Sequence, residues 1–269
     1  MTAVTSKEIP PRQVDWPAFA SGDVLALVSA TQPWGPAAIA AAQIAARWGS
    51  VLTGCYLDPI ARLAGSERDP TLMPLLYDWF EGSEEIAGET GFAAFAGSHG
   101  VHRTRWMTLH SGLAHSLRHL GAWHDLAVVE RGMLERNGLD EAFGEALLDC
   151  RSACLLLPAG KPAATAFLRI AVGWNGRLEA VRALHAAMPF LCRAEDVCLF
   201  DGSPHHHGHG GGQPSFDPVT YLREHGIAAR RKPFQASPGA AGADLLEAAA
   251  RMRADLLVMG AYGHSRLQE

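Results

Sequence analysis

The sequence predicts an α/β fold built from two tandem doubly wound domains, each Rossmann-like with a parallel sheet. Near the start, a strand, an Ala-rich helix and a second strand follow one another at Val24–Val28, Gly35–Trp48 and Val51–Leu57. Two strands joined by a helix are parallel neighbours, because antiparallel neighbours need only a short turn. The 27-residue step from Val24 to Val51 recurs between Ile170 and Val197, which indicates an internal repeat.

The fourth strand of each half supports the same repeat. The tetrads Asp125–Val128 and Asp255–Val258 align, with a buried apolar strand in both. From first strand to fourth the offset is 102 residues in the first half and 86 in the second. We expect the extra residues of the first half between Leu57 and Arg103, in a segment rich in Glu.

The other elements are predicted from apolar runs and helical spacing. In the first half they are helices at Leu72–Phe80, Glu84–Ala96, 111–120 and Asp140–Asp149, and strands at Arg105–Leu109, Leu126–Val129 and Ala153–Leu157. In the second half they are strands at Arg169–Gly173, Asp196–Phe200, Ile227–Phe234 and Leu256–Met259, and helices at Leu178–Phe190, Pro218–His225 and Ala243–Arg253. The expected organisation is a lead-in over 1–21, a domain over 22–158, a Pro-containing linker over 159–166 and a domain over 167–269.

The last predicted strand leads into a candidate anion site. Leu256–Met259 is apolar without alternation, as in a strand buried on both faces, and Gly260 and Gly263 follow it. Glycine lets another molecule approach the main chain closely, and a turn after a strand aims N–H groups at an anion. Two glycines after a strand are also typical of a simple tight turn, so the residues alone leave both interpretations open.

Residues 255–267 closely resemble the end of the fourth strand of universal stress protein domains. Nucleotide-binding members of that family carry G-x2-G-x9-G-[S/T], and Gly260 and Gly263 match its first two glycines. The third would fall beyond Glu269, so the resemblance implies a second domain that is incomplete at its C-terminal end. It also implies two tandem domains of the adenine nucleotide alpha hydrolase-like type, and a regulatory role in the stress response.

The resemblance further implies an adenine-nucleotide site, for ATP or AMP and with Mg²⁺ accompanying ATP. Ligands of open α/β sheets bind at the carboxyl ends of the strands, near the switch in strand order. The residues expected there are Gly173, Trp174, Asn175, Phe200, Gly260, Gly263, His264 and Ser265. Asn175 stands where nucleotide-binding members commonly have an Asp facing the ribose. Gly260, Gly263 and the amides of His264 and Ser265 would meet phosphate, and because the third glycine is missing we expect triphosphate binding to be weakened or absent.

The first half is predicted to be a degenerate partner domain. Aligning the tetrads places Glu130 opposite Gly260 and Met133 opposite Gly263. A carboxylate repels phosphate, and a side chain in place of glycine closes the approach.

Composition and motifs exclude several other functions. A net charge of −5 and a pI of about 6.2 argue against nucleic-acid binding, and no apolar run reaches membrane-spanning length. The five cysteines fit reduced thiols, and therefore a cytoplasmic protein. No catalytic motif is found. His205, His206, His207 and His209 could bind a metal, although a Gly-rich loop favours weak incidental affinity over a structured site.

The sequence therefore predicts a regulatory nucleotide-binding module rather than an enzyme, with ATP hydrolysis slow at most. The alternative is an interaction or scaffold protein without a ligand. In either case we expect self-association through sheet edges, because Ala153–Leu157 would leave an apolar edge strand.

Overall fold

A computed structural model of the chain describes residues 22–31, 33–57, 83–109, 113–137, 143–144, 147, 152–160, 165–203, 217–237 and 239–260. These residues form two compact units, one within residues 18–166 and the other within 167–269. Both units are parallel sheets with helices between successive strands, which confirms the predicted doubly wound α/β class. Within these ranges no helix is long and apolar enough to cross a membrane.

The first unit alternates strands and helices. Its elements are β1 (Val24–Val28), α1 (Pro36–Trp48), β2 (Leu52–Leu57), α2 (Ser83–Ser98), β3 (Thr104–Leu109), α3 (Leu113–Gly121), β4 (Leu126–Glu130), α4 (Arg131–Asn137) and β5 (Ala153–Leu157). The strand order is β3-β2-β1-β4-β5 and every pair is parallel. Helix α4 was not predicted, because seven residues with Gly132 among them show too little apolar periodicity.

The centre of the first sheet follows from its most apolar segment. Every residue of β1 is at most 3% exposed, as expected of a strand covered on both faces. Helix α1 packs on β1 with a face of buried alanines. It begins at Pro36, whose fixed φ suits the first turn, and is capped after Trp48 by Gly49, which has the left-handed φ of +63°.

The second unit repeats the arrangement. Its elements are β6 (Arg169–Trp174), α5 (Leu178–Ala186), α6 (Met188–Leu191), β7 (Asp196–Asp201), α7 (Pro218–Glu224), β8 (Ala229–Pro233), α8 (Ala241–Arg251) and β9 (Leu256–Val258). Among the described residues its sheet has the order β8-β7-β6-β9, all parallel. The single helix predicted over 178–190 is wrong: it breaks at Ala187, because Pro189 lacks an N–H and its ring obstructs a continuous helix.

The strand registers confirm the predicted alignment of the first and fourth strands, but that of the second strands is wrong by one residue, because Val24 pairs with Leu52 rather than Val51 whereas Ile170 pairs with Val197. Val24 pairs with Leu126 in the first sheet, and Ile170 pairs with Leu256 in the second, as the offsets of 102 and 86 require. The extra residues lie between the second and third strands of the first unit, as predicted. Paired positions of these two strands are 52 residues apart in the first unit, from Leu52 to Thr104, and 32 residues apart in the second, from Val197 to Ala229.

The aspartates of the aligned tetrads have the same structural task. Asp125 Oδ2 accepts the backbone N–H of Asp23 at 2.9 Å, and Asp255 Oδ2 accepts that of Arg169 at 2.9 Å. Each carboxylate thereby fixes the start of its unit's first strand.

Some predictions lie outside the described residues. They concern the lead-in over 1–21, the helix at Leu72–Phe80, and all but three residues of the helix at Asp140–Asp149.

Candidate functional site

The carboxyl ends of β6, β7 and β9 meet at one edge of the second sheet. Trp174 pairs with Asp201, and Asp201 pairs with Pro233. Val172 pairs with Val258, so Trp174 and Gly260, each two residues further on, follow at the same level. We call Gly260, Trp174, Asp201 and Pro233 the second edge row. It spans the switch in strand order between β6 and β9, where open α/β sheets bind ligands.

The structure brings together part of the predicted site. Gly173, Trp174, Phe200 and Gly260 lie at this edge, and Asn175 follows directly after β6. Gly263, His264 and Ser265 lie outside the described residues, as do His205, His206, His207 and His209.

Gly260 packs against the first turn of α5. A Cβ built on Gly260 would lie 2.7 Å from the carbonyl carbon of Glu179 and 2.8 Å from the nitrogen of Ala180. Both contacts are with the helix backbone, which cannot turn away as a side chain can. The absent side chain therefore lets the chain after β9 lie directly on the start of α5.

Gly173 and Phe200 pack against α8, on the face of the sheet opposite to that on which Gly260 contacts α5. A Cβ on Gly173 would lie 2.5 Å from Leu245 Cδ2, a side-chain atom of α8. Phe200 is buried with Leu245 and meets Phe234 edge to face, with ring centroids 6.3 Å apart. The Phe200 side chain therefore belongs to the core. Only the main-chain atoms of Phe200 can face a ligand at the second edge row.

Asn175 makes a local hydrogen bond. Its Oδ1 accepts the backbone N–H of Arg177 at 3.0 Å, which is an Asx-type turn before α5. The amide oxygen is thus already used in fixing the path from β6 into the helix.

Sequence reasoning missed an ion-pair network beside the second edge row. Arg231 of β8 contacts Asp201 at 3.5 Å and also Asp217, the residue that caps α7. Asp201 Oδ1 in turn accepts the N–H of Ser203 at 2.9 Å. Burial alone would raise the pKa of Asp217, but the N–H and hydroxyl of Thr220 and the Arg231 guanidinium lower it overall. The available signal was Asp201 itself, a carboxylate at the end of a buried strand.

A short basic run, Arg230–Lys232, lies on the edge strand β8, where it is exposed. Arg230 pairs with Asp196 at 2.6 Å, in addition to the Arg231 contacts. Two of its three positive charges are therefore paired with carboxylates, which is typical of a solvated strand edge rather than of a nucleic-acid surface.

The equivalent row of the first unit has different chemistry. Val28 pairs with Tyr56, Tyr56 pairs with Thr108, and Glu130 ends β4 beside Val28. We call Glu130, Val28, Tyr56 and Thr108 the first edge row. The registers place Glu130 at the level of Gly260, as the tetrad alignment predicts. Glu130 is only 7% exposed and lines a cavity of about 520 Å³.

Neither thiols nor metal ligands suggest catalysis in the part of the chain that the structure describes. Burial raises the pKa of the Cys55 thiol to about 12 and also raises those of Cys192 and Cys198, so these thiols stay protonated at neutral pH. No group of three or more metal-ligating side chains comes together among the described residues.

Comparison with known proteins supports the fold. No family model and no curated protein matches the sequence. A universal stress protein from Archaeoglobus fulgidus DSM 4304 is similar over 88% of this chain and 84% of its own, at 11% identity and a TM-score of 0.58. A protein from Pseudomonas aeruginosa UCBPP-PA14, named as a universal stress protein, is similar over 93% and 85%, at 17% identity and a TM-score of 0.53. The resemblance is confirmed at the level of the fold.

Proposed function

We propose that this chain is a regulatory module of the universal stress type that binds an adenine nucleotide at the second edge row. One observation carries the proposal: Gly260 lies at the switch in strand order, without a side chain, and begins the G-x2-G segment. Main-chain N–H groups that follow such a glycine are the donors that phosphate oxygens require.

The proposed nucleotide would have its phosphates beside Gly260, Gly263 and the amides of His264 and Ser265. Trp174 is half-buried at the same row and offers an aromatic surface to the adenine or ribose. Asn175 would reach the ribose through its amide, although its oxygen already accepts the Arg177 N–H. The ligand would be ATP, with Mg²⁺, or AMP. The role would be regulatory and cytoplasmic, with ATP hydrolysis slow at most.

The second candidate is an interaction protein that needs no ligand. It is favoured by β5, which is an edge strand of the first sheet and leaves Leu156 47% exposed. An apolar edge strand favours pairing with another strand. Self-association through this edge is compatible with both candidates.

Thermal unfolding of the full chain with millimolar ATP or AMP tests the proposal. A ligand that binds only the folded state raises the midpoint by mass action. We expect ATP with Mg²⁺ to raise it, the rise to disappear in Gly263→Val, and the rise to persist in Gly242→Val. Gly242 is the matched control because a Cβ there meets nothing within 4 Å. The absence of any rise in the unaltered chain would favour the interaction protein.

Tryptophan fluorescence locates the site. Trp174 is the only tryptophan between residues 167 and 269. Nucleotide at the second edge row should therefore change the emission of the full chain, and Trp174→Phe should abolish that change while the ATP-dependent rise in the unfolding midpoint remains. A change that persists in Trp174→Phe would place the nucleotide elsewhere.

A further inference from the structure

An Asn–Gly pair lies at the carboxyl end of β6, inside the candidate nucleotide site. Asn175 follows Trp174 of the second edge row, and Gly176 follows Asn175. The chain has only one other asparagine, Asn137, which is also followed by glycine. Asparagine before glycine is the pair most prone to deamidation, because glycine has no side chain to shield its main-chain nitrogen. This reactive pair therefore stands where a change of side chain would alter the site.

The local structure leaves the reacting atoms of this pair accessible. Asn175 and Gly176 are both exposed to solvent. Among the described residues the Gly176 N–H donates no hydrogen bond, so its nitrogen is not held away from the Asn175 side chain. The Asn175 Oδ1 accepts the N–H of Arg177 at 3.0 Å, which folds the side chain back over the main chain and polarises its carbonyl group. These features favour attack of the Gly176 nitrogen on Asn175 Cγ.

We propose that Asn175 and Gly176 form a site of spontaneous deamidation, and that the aspartate formed at position 175 tightens nucleoside binding at the second edge row. The Gly176 nitrogen, once its proton passes to water, forms a bond to Asn175 Cγ, and the side-chain nitrogen leaves as ammonia. Water then opens the cyclic imide, at the side-chain carbonyl to give aspartate or at the main-chain carbonyl to give isoaspartate. The chain gains a water molecule and loses ammonia, and nothing is oxidised or reduced.

An aspartate supplies what Asn175 lacks for this ligand. The amide of Asn175 has one acceptor oxygen, which already accepts the Arg177 N–H. A carboxylate keeps that bond with one oxygen and presents the other to the hydroxyl groups of a ribose, in charge-assisted hydrogen bonds. The positive end of α5 also favours a negative charge there. Isoaspartate lengthens the main chain between β6 and α5, so only aspartate is expected to act in this way. The gain in affinity rests on the proposed function.

Peptide mass spectrometry of the full chain tests the modification. Trypsin places the two Asn–Gly pairs in separate peptides, 170–177 and 137–151, because each segment is bounded by arginines. After incubation at mildly alkaline pH, peptide 170–177 should contain aspartate and isoaspartate, which chromatography separates, formed about as fast as in a free peptide of the same residues. A folded chain that stayed unmodified at position 175 while the free peptide reacted would overturn the proposal, because the fold would then protect Asn175.

Calorimetric titration with adenosine tests the effect on the site. Adenosine has the ribose hydroxyls but no phosphate, so repulsion between negative charges does not enter the comparison. Asn175→Asp should bind adenosine about fivefold more tightly than the freshly prepared chain, as expected for an added charge-assisted hydrogen bond. The gain should vanish with 2′,3′-dideoxyadenosine, which lacks those hydroxyls. Equal affinity of the two chains for adenosine, or a gain that persisted with the dideoxy compound, would contradict the proposal.

The other Asn–Gly pair provides the matched control. Asn137→Asp makes the same chemical change in the first unit and should leave the affinity for adenosine unchanged. If it raised that affinity equally, the effect would not belong to position 175. If neither ATP nor adenosine bound to any of these chains, the proposed function would fail and the gain in affinity with it, whereas the mass measurement would still decide whether Asn175 is a deamidation site.

Discussion

The first unit ends its fourth strand in Glu130, and the second follows its fourth strand with Gly260, at positions that the strand registers make equivalent. The carboxylate of Glu130 lies near the start of α1, beside a cavity. Gly260 instead brings the main chain itself onto the start of α5. The same position of the fold therefore carries a carboxylate side chain in the first unit and a glycine, without a side chain, in the second.

The pairing of the second and third strands shows another difference between the units. In the first unit, Gly54 of β2 pairs with Trp106 of β3, and the indole fills the space above the glycine. In the second unit, the equivalent pair is Leu199 with Arg231. The first unit thus places its large residue, the half-buried Trp106, on the edge strand, whereas the second unit buries Leu199 one strand further in. The repeat preserves strand order and register but not the distribution of side-chain volume.

The largest expected effect comes from adding a methyl group at Gly260. Gly260→Ala places a Cβ 2.7 Å from the backbone of Glu179, so α5 or the end of β9 must move. Overpacking of this kind costs about 2–3 kcal/mol in the free energy of unfolding, measurable by urea denaturation. Gly242→Ala, with nothing within 4 Å, should be neutral or slightly stabilising. If the two variants were equally stable, the close packing of Gly260 on α5 would be wrong.

A somewhat smaller effect is expected at Gly54. A Cβ there would lie 2.6 Å from Trp106 and 2.8 Å from Phe92, but both contacts are ring atoms that can shift. Gly54→Ala should cost about 2 kcal/mol. In a double-mutant cycle, Trp106→Leu should recover part of that loss, because the ring is what the new methyl group meets and the Nε1 that it removes has no hydrogen-bond partner among the described residues. If the two losses in the free energy of unfolding were additive in the double variant, Trp106 would not pack on Gly54.

The aspartates of the tetrads should behave alike in both units. Asp125→Asn and Asp255→Asn should each cost about 1 kcal/mol, the usual contribution of such hydrogen bonds. Burial opposes ionisation of Asp255, but the backbone N–H and guanidinium of Arg169 lower its pKa overall.

The lowered pKa of Asp255 gives a pH dependence with a definite sign. Its contribution to stability is complete above the unfolded pKa of about 3.9 and is lost as the pH falls through the lower folded pKa. The difference in unfolding midpoint between the unaltered chain and Asp255→Asn should therefore be largest at neutral pH and shrink in strong acid. A difference that grew as the pH fell would contradict this role.

The smallest effect is expected at Arg231. Its ion pairs with Asp201 and Asp217 are partly exposed, and such pairs contribute about 0–1 kcal/mol. Arg231→Gln should lower the unfolding midpoint slightly, and added salt should reduce the difference by screening the charges. A large loss that salt did not change would mean that Arg231 acts through packing, as Trp106 does at the equivalent position of the first unit.

The sequence predicted the repeating features of the molecule. Parallel strands buried on both faces are unbroken apolar runs, so β1, β4 and β6 could be located directly. The aligned tetrads then gave the correct pairing of the first and fourth strands in both sheets. Local interruptions of a pattern were harder to predict. The helix break before Pro189 was missed because the apolar residues on either side of it continue the helical spacing.

The contacts of the candidate site could not be predicted in the same way. The packing of Gly260 on Glu179, and the contact of Arg231 with Asp217, depend on which elements are neighbours in space. The cavity beside Glu130 is also a tertiary feature, although the alignment did predict that a carboxylate stands there. A single sequence shows the type of residue at an edge, but not whether its side chain faces solvent, a helix or a cavity.

The stoichiometry of ATP binding to the full chain tests the central claim that the second edge row, and not the first, binds the nucleotide. Isothermal titration with ATP and Mg²⁺ should show one site per chain, abolished by Gly263→Val and unaffected by Glu130→Gln. Two sites per chain, or one site that survives Gly263→Val, would contradict the claim, because the nucleotide would then bind without the G-x2-G segment or beside Glu130.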